Sequence, residues 1–136
     1  MRVLFVCKAN AGRSQAAMEY YNRQRPGGAE SAGTVVSIPG QKVRVIYGDM
    51  PFIVAMKEDG INLLQNNRKP FEESMVNAYG RIIIMAQPPT FPKFLKIGGK
   101  VEYWPVKDPK ISPLEEAREI RDDIKQRVQD LIDRTD

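Results

Sequence analysis

The chain has 136 residues, 42% of them apolar and 28% charged, and a formal net charge of +4, which is the composition of one ordinary soluble domain with one core. No apolar run approaches the roughly 20 residues that span a bilayer. With one cysteine and no histidine, an internal disulfide, the usual structural zinc sets and any imidazole-activated nucleophile are excluded.

The apolar, β-branched run at 2–6 reads as a buried strand. Good helix formers fill 13–25, where Ala17, Tyr20, Tyr21 and Gln24 recur at three to four residues, and Pro26, Gly27 and Gly28 end that helix. Residues 29–36 read as a second strand although they include a glycine, and 37–41 as a turn. A helix is predicted over 51–60, with Phe52, Ala55 and Met56 on one face and Gly60 just past its C-cap. A short helix is predicted over 70–79, a strand over 81–86, no regular structure in the proline-rich 88–92, and a fourth strand over 101–106. Ser112, Pro113 and Glu115 supply an N-cap, a first helical position and a third. They open a last helix with Ala117, Ile120, Ile124, Val128 and Leu131 along one face. Strands separated mostly by helices predict an α/β domain with a parallel sheet, undivided by repeats or linkers.

In an open parallel sheet, ligands bind outside the carboxyl ends of the strands. Cys7 falls at such an end, and Lys8 to Gly12 lead from it into the first helix. Backbone N–H groups in such a loop and the positive end of a helix together attract an anion. Lys8 and Arg13 are cations placed where a bare helix prefers anions, so a tetrahedral oxyanion would satisfy them, with Arg13 gripping two oxygens at once. The same field favours a thiolate at Cys7, a nucleophile that needs no histidine, and the Ser14 hydroxyl can donate to the sulfur. Asn10 has the side chain to hold the loop open. A lone cysteine at a strand end is by itself ordinarily an inert small hydrophobe. Its spacing to Arg13 and Ser14, between a strand and a helix, is what points to chemistry.

The stretch CKANAGRS, 7–14, resembles the phosphate-binding signature of low-molecular-weight protein tyrosine phosphatases and of the arsenate reductases that share their fold. Asp108 and Pro109, in WPVKDP, stand where that family carries an Asp-Pro general acid after the last strand. The segments 31–34 (SAGT) and 55–61 (AMKEDGI) also resemble family segments, so the similarity covers essentially the whole chain. The resemblance implies Cys7, Arg13 and Asp108 as catalytic residues and Lys8, Ala9, Asn10, Ala11, Gly12, Arg13 and Ser14 as the substrate-binding loop. It implies an α/β fold over 1–136: a single-domain four-stranded parallel sheet flanked by helices, phosphatase-like with flavodoxin-type topology. It implies no metal and no other cofactor. Ala9 stands where the phosphatases commonly have glycine, and Lys110 and Ile111 where many members have tyrosines.

Two activities follow. The first is phosphomonoester hydrolysis through a thiophosphate intermediate on Cys7. The second is reduction of arsenate, which has the shape and charge of phosphate. Its electrons would come from an external thiol or a redoxin, since the chain has no second cysteine. A phosphate-carrying subunit of a sugar phosphotransferase system also presents a cysteine after its first strand, but it has no use for both Arg13 and Asp108. The expected partners are a phosphorylated protein or small phosphomonoester, or arsenate with thiol or redoxin. No nucleic acid is expected, for want of an aromatic-and-basic motif, and no membrane. A cytoplasmic monomer is expected.

Overall fold

A computed structural model describes residues 1–135. Its strands are β1 (Val3–Cys7), β2 (Ala29–Gly33), β3 (Arg81–Ile84) and β4 (Val101–Tyr103). All pair in parallel, in the order β2-β1-β3-β4, the beginning of a flavodoxin-type sheet. β1 is central, with Val3 opposite Ala29 on one side and Arg81 on the other.

All five residues of β1 are buried, which accounts for its unbroken apolar run. Val3, Phe5 and Cys7 face one core with α1 (Arg13–Gln24), α3 (Pro51–Glu58) and α4 (Leu114–Thr135). Leu4 and Val6 face a second core with Ala32, Ile82 and Ile84. That second core is roofed by loops rather than by a long helix, through Phe71, Leu95 and an edge-on Phe71–Phe94 pair 5.3 Å apart. The expected face of α4 is buried as read, from Ala117 to Leu131.

The differences are local. α2 (Val43–Tyr47) was not expected: its VRVIY sequence is β-branched and reads against helix. It forms because Val43 N and Arg44 N donate to Asn66 O at 2.9 Å and Leu64 O at 3.2 Å, while Val43 and Tyr47 are buried. The helix expected over 70–79 is a 3-10 turn over Glu73–Asn77 that buries no residue, so no apolar stripe extends it. Another 3-10 turn, Pro88–Thr90, lies in the stretch expected to be irregular. β2 stops at Gly33, short of the expected 36, where Thr34 N and Val35 N turn to Cys7 O and Lys8 O. β4 stops at Tyr103, short of the expected 106, because Pro105 has no N–H to continue the ladder. α4 begins at Leu114, one residue late, with Ala117 N bonded to Pro113 O at 2.8 Å. No helix among the described residues is long and apolar enough to cross a membrane.

Candidate active site

Cys7 ends β1 at the carboxyl edge of the sheet and Arg13 opens α1, so the five residues between them form a tight loop. Asn10 lies at φ 53°, the left-handed region that asparagine tolerates better than most residues. Its side chain secures that turn: Oδ1 accepts from Lys69 N at 2.8 Å, and Nδ2 donates to Ser14 Oγ at 2.9 Å. Gln15 Nε2 donates to Asn10 O at 3.0 Å and to Asn67 O at 3.1 Å, and Arg68 Nε donates to Ala9 O at 2.8 Å. Residues 66–69 therefore hold the loop from behind by its carbonyls and its asparagine. Its amides are left for the other side. Among the described residues, no backbone N–H from Lys8 to Gln15 is given to a protein acceptor. Unpaired N–H groups on this scale are costly unless something anionic or water meets them.

Cys7 is 2% exposed, with Sγ 3.0 Å from Ser14 Oγ. Because Ser14 Oγ already accepts from Asn10, its own proton is available to the sulfur. The Arg13 guanidinium is also buried. Its Nη1 is anchored on two carbonyls at the sheet edge, Met85 O at 2.6 Å and Val106 O at 3.0 Å. Gln87 Oε1 lies 3.4 Å from both terminal nitrogens. The expected two-oxygen grip is thus confined to the other edge of the fork, Nε and Nη2.

Asp108, on the loop after β4, brings Oδ2 to 3.8 Å from Arg13 Nη2. Its Oδ1 accepts from Lys110 N at 3.0 Å and from the Tyr47 hydroxyl at 3.4 Å. Tyr47 lies over the loop: a Cβ on Gly12 would be 2.6 Å from Tyr47 Oη. Burial, then the charge of Asp108, pushes the Tyr47 hydroxyl well above its ordinary value, so it is a donor. Burial lowers the Arg68 guanidinium, and the charge of Cys7 opposes that shift.

The sequence model of the low molecular weight phosphotyrosine protein phosphatase family matches residues 2–136. The chain belongs to this family. The family is enzymatic, and its relatives carry two activities. A Halobacterium salinarum protein named "Putative arsenate reductase" is 31% identical over 95% of this chain and 89% of its own. A solved arsenate reductase in the phosphate binding state is 28% identical, covers 100% of both chains and has a TM-score of 0.69. The low molecular weight protein tyrosine phosphatase of T. tengcongensis has a TM-score of 0.72 over 98% of this chain and 99% of that one, at 23% identity.

Of the residues singled out in the sequence, this family member brings together Cys7, Asn10, Arg13, Ser14 and Asp108. Ala9, Ala11 and Gly12 contribute backbone, and the Lys8 side chain is exposed. Three neighbours went unread: Tyr47, Arg68 and Gln87. Gln87 follows β3 at the sheet's carboxyl edge, the same edge at which Cys7 ends β1 and where ligands bind in open parallel sheets. Tyr47 and Arg68 carry no local signal, since each reaches the loop from a segment that only folding brings near.

Proposed function

We propose that the chain is a cysteine-dependent phosphomonoester hydrolase. The observation that supports it most is the cradle of unpaired amides from Lys8 to Gln15 around a serine-bonded thiol. In this reading Cys7 Sγ attacks phosphorus in line with the leaving oxygen, and an S–P bond forms as the P–O bond breaks. The loop amides and the Nε–Nη2 edge of Arg13 hold the equatorial oxygens. Asp108 gives its proton to the leaving oxygen, then takes one from the water that breaks the S–P bond. Ser14 donates to the sulfur when it leaves as a thiolate. One cysteine suffices for this cycle, and one is what the chain has.

The identity to the Halobacterium salinarum protein and to the solved arsenate reductase favours a second reading, thiol-dependent arsenate reduction on the same Cys7. The two separate in a side-by-side assay of purified protein. Aryl phosphate hydrolysis without added thiol is expected, blocked by iodoacetamide and protected by inorganic phosphate. Negligible hydrolysis beside brisk arsenate reduction with thiol and redoxin would overturn the phosphatase reading.

A further inference from the structure

Resting on Asp108 as the acid, we propose that Tyr47 is a positioning residue that, with the Lys110 amide, holds Asp108 Oδ1 so that Oδ2 carries the proton to the leaving oxygen. The two carboxylate oxygens have different surroundings. Oδ1 takes two donors, Lys110 N at 3.0 Å and the Tyr47 hydroxyl at 3.4 Å. Oδ2 faces the cradle, 3.8 Å from Arg13 Nη2. A carboxyl group rotates about one bond, so fixing Oδ1 aims Oδ2. The Lys110 amide alone ties the carboxylate only to its own exposed loop, because that bond spans two residues. Tyr47 ties it to the loop that holds the oxyanion.

Tyr47 is suited to this. It is 4% exposed, is packed against Phe52 at 6.4 Å between ring centres, and has Gly12 beneath its hydroxyl, where any side chain would collide with it. Its hydroxyl stays protonated, so it donates to the carboxylate and yields no proton of its own. The 3.4 Å separation is long, as catalytic hydrogen bonds commonly are before substrate tightens them. The proton balance is unchanged: Oδ2–H passes to the leaving oxygen, and Asp108 recovers a proton from the hydrolytic water while Tyr47 keeps its own.

The test is a double-mutant cycle of Tyr47→Phe and Asp108→Asn, read on phenyl phosphate and nitrophenyl phosphate, with melting temperatures as a folding control. Phenylalanine keeps the packing and removes only the hydroxyl. Tyr47→Phe is expected to slow phenyl phosphate by about tenfold, and nitrophenyl phosphate, whose leaving group departs with little help, far less. In the Asp108→Asn background the same change should cost nothing further. An equal loss in both backgrounds would mean that Tyr47 acts through packing, and no loss in the wild-type background would remove its role; either overturns the proposal. If Asp108→Asn itself leaves both esters equally fast, the acid assignment falls and the proposal falls with it. Should the chain turn over arsenate rather than esters, the same cycle is read on that reaction, where the oxygen leaving arsenic is also protonated. Loss of coupling there is equally decisive.

Discussion

Arg13 shows how one side chain divides its donors. Nη1 is committed to Met85 O and Val106 O, which fixes the plane of the guanidinium; in the proposed reaction the Nε–Nη2 edge then takes the substrate. A lysine cannot do both, having a single nitrogen and no fork. Arg13→Lys is therefore expected to behave almost like Arg13→Ala, with turnover down about a hundredfold or more. Near-normal kcat/KM in Arg13→Lys would mean that charge alone suffices. Arg68 poses a different problem. It is 5% exposed, and its bonds go to the Ala9 carbonyl and the Gln41 side chain rather than to a carboxylate. A buried cation costs several kcal/mol unless something offsets it. Among the described residues, the Ala9 carbonyl, the Gln41 oxygen and the nearby Cys7 sulfur are what it has. Arg68→Met keeps the volume and removes both the charge and the Ala9 bond. Inorganic phosphate should then compete several-fold less well, while Arg68→Lys restores part of the loss. Equal phosphate inhibition constants in wild type and Arg68→Met would show the loop to be indifferent to this cation.

Among the elements, β2 ends where it does because of what it touches. A Cβ on Gly33 would lie 2.6 Å from Lys8 O and 2.8 Å from Asn10 N, and both are backbone atoms of the loop. Thr34 N and Val35 N then donate to Cys7 O and Lys8 O, each at 2.8 Å, so the strand end is stitched to the loop between Cys7 and Arg13. Gly33→Ala cannot be absorbed by a side-chain rotation. It should cost about 1–3 kcal/mol of stability and also weaken phosphate protection of Cys7 against alkylation. Thermal unfolding checks the first effect, and iodoacetamide labelling with and without phosphate checks the second. A variant with an unchanged melting temperature and full protection would show that the loop can shift aside. The Tyr47 cycle tests the neighbouring element, α2.

Across the whole molecule, α3 and α4 are joined at the surface by a carboxylate cluster. Glu58 meets Arg118 Nε at 2.9 Å and Arg121 Nη1 at 2.9 Å, and Tyr20 donates to Asp59 at 2.7 Å. The Arg118 hydrogen bond, with Arg121 beside it, holds Glu58 down at about 2 against an ordinary 4.5. The Tyr20 hydrogen bond does most to lower Asp59. A carboxylate lowered by folding contributes stability that is complete above its unfolded value and is lost as pH falls through its folded value. For Glu58 that window runs from pH 4.5 to about 2. Glu58→Gln should leave a shallower fall in melting temperature across the window. Superimposable profiles for the two proteins would assign acid unfolding to other groups.

The sequence by itself determined the parts that are local. The buried run of β1, the amphipathic face of α4 from Ala117 to Leu131, and the spacing of Cys7, Arg13 and Ser14 are set by side-chain period and by residues close in the chain. Asp108 was legible as well, though through a resemblance rather than through spacing, since 101 positions separate it from Cys7. Tertiary structure alone decided the rest. VRVIY is helical at 43–47 because Leu64, Asn66 and the core supply what its β-branched residues oppose. The residues at 70–79 form only a short 3-10 turn because they bury no apolar stripe. Tyr47 and Arg68 reach the loop from segments with no periodic tie to it. Contacts of that kind depend on how the chain closes on itself, and a local pattern holds no record of them.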